Sequence, residues 1–126
     1  MKIQVFSDIH VDCRADKTFQ IPYSNSDLVV LAGDIGEGLL GITWAADQSQ
    51  RLGKPVVYVA GNHEYYYRDI TRHDDAMRRH AEQLEVVFLN RDVFEYRGVR
   101  VIGATLWTSF RDQNGKDDWF AMHKAK

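Results

Sequence analysis

Leu28-Val29-Val30-Leu31-Ala32-Gly33-Asp34-Ile35-Gly36-Glu37 is the stretch on which the fold turns. An apolar run followed by glycine and a carboxylate reads as a buried strand that delivers Asp34 to its own end. Two other stretches have the same form. Ile3-Gln4-Val5-Phe6 runs into Ser7-Asp8-Ile9-His10, and Val56-Val57-Tyr58-Val59-Ala60 runs into Gly61-Asn62-His63-Glu64. Asp34 stands 26 residues after Asp8 and 28 before Asn62. Parallel strands joined by crossovers of that length place their carboxyl ends on one edge of a sheet, where open α/β sheets bind ligands.

The 126 residues have room for one domain. Hydrophobic residues at 44% and charged residues at 27% are ordinary for a soluble globular chain. A formal charge of -2 and an isoelectric point near 6.2 give no global field that would attract nucleic acid or an anionic membrane, although a local basic patch stays open. The single cysteine, Cys13, rules out an intrachain disulfide. Apolar runs stop far short of the ~20 residues a spanning helix needs. The N-terminus enters a strand directly, without a signal-peptide pattern. The expected compartment, by default, is the cytoplasm.

Strands are expected over 2–7, 27–32, 56–60 and 86–89, and a strand pair over 93–96 and 99–102 joined by Arg97-Gly98. The second of that pair should continue from Gly103 to Trp107. Leu40, Trp44 and Leu52 predict a helix over 39–52 stopped by Gly53. Ile70, Met77 and Leu84 predict a charged, amphipathic helix over 68–84. Residues 11–26 read as a loop with room for a short helical piece. Residues 112–116 read as a turn before a short amphipathic piece. No repeat or low-complexity tract interrupts the chain.

Each polar cluster has an ordinary reading when taken singly. Asp-x-His is common by chance, Asp34 alone suits a turn or a helix N-cap, and Asn62 after Gly61 suits a turn. Alternation along an extended backbone would point Asp8 and His10 the same way, so that both grip one ion. Together, carboxylate, imidazole and amide oxygen suit divalent ions such as Mn, Fe and Zn. Asp34, the middle carboxylate, has two oxygens and could bridge two ions. Two such ions would activate water and clamp phosphoryl oxygens.

Asp8-Ile9-His10, Gly33-Asp34-Ile35-Gly36-Glu37 and Gly61-Asn62-His63-Glu64 resemble the first three motifs of the calcineurin-like metallophosphoesterases. That family's pattern is Asp-x-His, Gly-Asp-x-x-(Asp or Glu) and Gly-Asn-His-(Asp or Glu), in this order. The resemblance covers residues 1 to about 110. It implies an α/β fold, a β-sandwich core with mixed sheet flanked by helices. It also implies one or two divalent metal ions, with manganese, iron and zinc all open. The implied reaction is hydrolysis of a phosphomonoester or phosphodiester by hydroxide held on the metal, as in a phosphatase. Asp8 and His10 would bind the first metal, Asp34 both, and Asn62 the second. Asp34 and His63 would be the catalytic pair. His63, beside Asn62, would contact the substrate's phosphoryl oxygens or protonate the leaving group. Glu64 would orient His63 through a carboxylate–imidazole contact, and Glu37 would support the site from behind the ligands.

The sequence departs from the family downstream. The Gly-His-x-His motif that completes both metal sites is absent, and the later histidines are His73, His80 and His123. His73 and His80 read as edge residues of the charged helix, and His123 as part of a frayed tail. The resemblance therefore implies the N-terminal half to two-thirds of one domain spanning 1–126. An exposed sheet face would then favour a homodimer, a partner chain or marginal stability. The alternative to an enzyme is a catalytically impaired, truncated relative acting as a binding or interaction module. Nucleic acid enters only as a substrate class, and no membrane is expected.

Three further features have ordinary readings. Cys13 is expected as a buried small hydrophobe rather than a soft ligand. Tyr65, Tyr66 and Tyr67 are expected to pack on the following helix. The arginines of residues 68–79 are balanced by acids along a solvated face. Gly33, Gly36 and Gly38 reverse the order of a dinucleotide-binding fingerprint, which argues against that class.

Overall fold

The computed structural model describes residues 1–107. Four parallel strands, β1 (Ile3–Phe6), β2 (Leu28–Ala32), β3 (Val56–Val59) and β4 (Val87–Phe88), form one sheet in the order β1-β2-β3-β4. Two helices complete the crossovers: α1 (Leu40–Leu52) after β2 and α2 (Ile70–Gln83) after β3. The β1–β2 crossover contains no helix, so the expected loop is found without its helical piece. An antiparallel pair, β5 (Asp92–Tyr96) and β6 (Val99–Gly103), forms a second, two-stranded sheet. The α/β class is as expected, with the parallel and antiparallel strands sorted into separate sheets. β6 ends at Gly103 and does not continue to Trp107 as the sequence suggested. The turn and amphipathic piece expected beyond residue 110, and His123, lie outside the described residues.

Alternation along the strands divides the sheet into two faces. Val29 and Leu31 of β2, Val56 and Tyr58 of β3 and Phe88 of β4 point toward the helices and are buried there. Leu28 and Val57 point the other way, where Phe94 and Val101 of the β5–β6 pair pack against them. Gly103 allows that close approach, because a Cβ there would meet Leu89 and Val59 at 2.5 and 2.8 Å.

The buried stripes of both helices differ from the expected ones. In α1 the buried residues are Gly41, Ile42, Ala45 and Gln48, while Leu40 is exposed. In α2 they are His73, Met77 and Ala81, an i, i+4 stripe, while Ile70 is exposed. Of the residues spaced by seven, Ile70 is exposed, Leu84 packs half-buried against the core and Met77 is a buried anchor. A helix of 3.6 residues per turn buries the positions three and four away from such an anchor, even where these are polar. His73 is thus a core residue and not an edge residue. It stands edge-on to Tyr65 with ring centroids 5.9 Å apart, and burial holds its pKa below the usual histidine value. Asp69 caps α2 by accepting from the Arg72 N–H at 2.9 Å, and Gly53 ends α1 in the left-handed region at φ 64°.

Candidate metal centre

The parallel register brings the ends of β1, β2 and β3 side by side. Backbone hydrogen bonds continue past the strands: Asp8 N–H to Gly33 O at 3.0 Å and His10 N–H to Asp34 O at 3.1 Å. The first two motif loops are therefore zipped together. Asp8, His10 and Asp34 all lie in the left-handed region, at φ 54°, 51° and 56°. Left-handed non-glycine residues are uncommon and concentrate at functional sites. The side chains of Asp8 and His10 are thus brought together by a turn, and not by the extended alternation that the sequence suggested. One ligand atom each from Asp8, His10 and Asp34 lies within 4.8 Å of the others.

The third motif folds over this group as a short 3-10 turn, His63–Tyr65. The His63 N–H donates to Asp34 Oδ1 at 2.9 Å, tying the third loop to the second. Gly61 is required here: a Cβ at that position would run into the Asp34 carboxylate. Asn62 donates from Nδ2 to the Tyr66 hydroxyl at 3.1 Å, a bond that does not use its amide oxygen. Asp8, Asp34 and Asn62 line the polar end of a cavity of about 430 Å³ whose apolar wall includes Val30, Val59 and Ile102.

Glu64 is fully buried beneath the loops and does not orient His63 as expected. It accepts from the N–H groups of Ile35 and Gly61 at 2.8 Å, Asp34 at 3.1 Å and Gly36 at 3.5 Å, and from the Tyr58 hydroxyl at 2.8 Å. The side chain thus holds the second and third loops in register from below. Burial, then the neighbouring Glu64, pushes the Tyr58 hydroxyl well above its ordinary pKa.

Asp12 takes the place expected of Glu64, and the sequence reading missed it. Its Oδ2 lies 2.9 Å from His63 Nε2 and accepts from Cys13 Sγ at 2.9 Å. Burial disfavours the Asp12 charge, but bonds from Cys13, His63 and the Glu37 backbone outweigh it and hold the carboxyl well below the usual range. The available signal was another acid in the loop that carries Asp8 and His10. His10, Asp12 and His63 form a second group with ligand atoms within 4.8 Å of one another. Cys13 is exposed, correcting the expected buried hydrophobe.

The remaining residues divide clearly. Glu37 pairs with Arg68 at 2.9 Å, outside the ligand group. His80 meets the Thr43 hydroxyl at 2.9 Å, far along α2. Of the three tyrosines, Tyr65 packs on α2 through His73, Tyr66 stands edge-on to His63 at 4.9 Å, and Tyr67 is fully exposed.

The sequence model of calcineurin-like phosphoesterases matches residues 1–125. The chain belongs to the calcineurin-like phosphoesterase family. An uncharacterized protein of Acanthamoeba polyphaga mimivirus is 25% identical over 127 residues, covering 87% of this chain and 45% of the relative. A phosphopantetheinyl hydrolase from Mycobacterium tuberculosis shares the fold with a TM-score of 0.63 at 20% identity, over 98% of this chain and 50% of the other. This calcineurin-like chain therefore spans about half the length of these two proteins. The family implies divalent metal ions, and the carboxylate–imidazole donor set of Asp8, His10 and Asp34 fits such an ion. Among the described residues, no helix is long and apolar enough to cross a membrane.

Proposed function

We propose that the chain takes part in metal-dependent hydrolysis of phosphoric esters, either monoesters or diesters. The observation that carries this reading is the convergence of Asp8, His10 and Asp34 at the ends of adjacent parallel strands. In this reading Asp8, His10 and Asp34 hold one divalent ion, and Asp34 with the Asn62 amide oxygen contributes to a second. Such an ion supplies Lewis acidity, activating water and offsetting phosphoryl charge. Manganese, iron and zinc all suit the donors.

The chain's own groups set the geometry. Asp34 takes the His63 N–H on Oδ1, so the carboxylate orientation is coupled to the third loop. His63 acts on the substrate's phosphoryl oxygens or leaving group, and Asp12 at Nε2 fixes its ring orientation. Glu64 keeps the loops in place, while the Glu37 carboxylate pairs with Arg68 and its backbone N–H supports Asp12. The downstream histidines His73 and His80 belong to the helix and contribute no ligand.

A second reading, a binding module of the same family, draws on one observation. Ile3 and Val5 on β1 and Ile102 in the cavity wall are apolar side chains that stay exposed, 43, 61 and 70%. A second copy or a partner chain would suit them.

The test is turnover of aryl phosphomonoesters and phosphodiesters by the purified chain with added Mn²⁺. Turnover that falls to background in Asp34→Asn supports the enzyme reading. Turnover absent from both proteins, or equal in both, sinks it in favour of the binding module.

A further inference from the structure

Cys13 adds to the cluster around Asp12 a thiol donor that the phosphoester reading does not use. Cys13 Sγ and His63 Nε2 converge on one atom, Asp12 Oδ2, each at 2.9 Å. The sulfur and the ring nitrogen lie 3.9 Å apart. A zinc ion holds sulfur at about 2.3 Å, imidazole nitrogen at about 2.0–2.1 Å and carboxylate oxygen at about 2.0–2.2 Å, so its ligand atoms stand roughly 3.3–3.7 Å from one another. The observed triangle brackets those separations, and shifts of about 0.3–0.7 Å along its edges would close it. His10 also lies within reach, since its ligand atom is within 4.8 Å of those of Asp12 and His63. Its ring centroid is 4.6 Å from that of His63.

We propose that Asp12, Cys13 and His63 form a site for a soft divalent cation of the zinc type, next to the Asp8–Asp34 group, with His10 on the border between the two. Its thiolate sets it apart from the oxygen-rich group of Asp8 and Asp34, because thiolate donors favour zinc over manganese or magnesium. Cys13 is exposed, so a cation can enter from solvent. On binding, the thiol proton passes to water, and the ion replaces the hydrogen bonds that now converge on Asp12 Oδ2. If His63 acts on substrate as proposed above, an ion here takes its Nε2 nitrogen and silences it. The existence of the site does not depend on that role.

Cobalt(II) is the probe, because thiolate ligation gives a charge-transfer band in the near ultraviolet that oxygen and nitrogen ligands lack. Titrating the metal-free full chain should give this band with saturation, and adding Zn²⁺ should remove it. The band should persist in Asp34→Asn, vanish in Cys13→Ser and weaken in Asp12→Asn. Cys13 is the chain's single cysteine, so its alkylation rate is an independent readout and should fall when Zn²⁺ is bound. Cys13→Ser replaces an exposed side chain, and its circular dichroism should match the parent. A chain that shows no band, a band that disappears in Asp34→Asn, or alkylation unaffected by Zn²⁺ would overturn the site. Phosphoester turnover does not enter these readouts, so failure of the catalytic reading leaves them interpretable.

Discussion

Both faces of the four-stranded sheet are built on valine and leucine, and they end in different states. On the helical face, Val29, Leu31, Val56, Tyr58 and Phe88 are buried beneath α1 and α2. On the opposite face, the β5–β6 pair covers Leu28 and Val57, while Ile3 and Val5 at the β1 edge stay exposed among the described residues. Aliphatic type does not separate the faces, because valine and leucine occur on both, although Tyr58 and Phe88 add aromatic bulk only to the closed one. The difference lies in what each crossover supplies: a helix after β2 and another after β3 seal one side, and a two-stranded pair reaches only part of the other. The motif loops sit where these regimes meet, with Glu64 rooted in the closed side and Asp8 and Asn62 open to the cavity.

The strongest way to break this contrast is to remove the root. Glu64→Ala would strand the N–H groups of Ile35, Gly61 and Asp34 and the Tyr58 hydroxyl. A buried donor left unpaired costs about 1–3 kcal/mol, so denaturant unfolding should show a loss of at least ~4 kcal/mol or no folded protein. Glu64→Gln keeps the shape but turns an N–H toward other N–H groups, and should lose about 2–3 kcal/mol on the same scale. A stable Glu64→Ala protein with its loops intact would refute the anchoring role.

The two faces can be compared directly by truncation. Leu31→Ala on the closed face should lose about 2–5 kcal/mol, since a cavity is left in packed surroundings. Val5→Ala on the open face should change stability by no more than about 0.5 kcal/mol. Equal losses in chemical denaturation would mean that β1's exposed face is covered in solution.

The smallest expected effect near neutrality concerns Tyr58. Its folded pKa is raised above that of the unfolded chain by burial and by Glu64. The neutral hydroxyl is therefore favoured in the fold. That contribution is fully present below about pH 10, the ordinary tyrosine value, and is lost as pH rises toward the folded pKa. Between pH 10 and 11 the parent should lose stability more steeply than Tyr58→Phe, and parallel melting curves across that range would contradict the assignment.

Much of this architecture was legible in the chain because it is local. Apolar runs at Leu28–Ala32 and Val56–Val59 mark strands, and the polar residues after them fall at the strand ends by covalent connection alone. Helix faces were less legible: seven-residue spacing found Met77 but mistook Ile70 for core and left His73 outside it. A helical pattern in sequence gives a period, and the direction of the stripe depends on the strand packed beneath it.

The sequence by itself determined an α/β chain with Asp8, His10, Asp34 and Asn62 at the ends of parallel strands, because strand order and loop length constrain those positions. Only the tertiary structure decided the roles of the two acids nearest His63. Glu64, its neighbour in the chain, turns away to anchor backbone N–H groups of the second loop and of Gly61. Asp12, 51 residues away, turns in to meet the imidazole. Hydrogen bonds are short-ranged and directional, so partnership follows where the backbone delivers donors and acceptors, and distance along the chain carries no information about it.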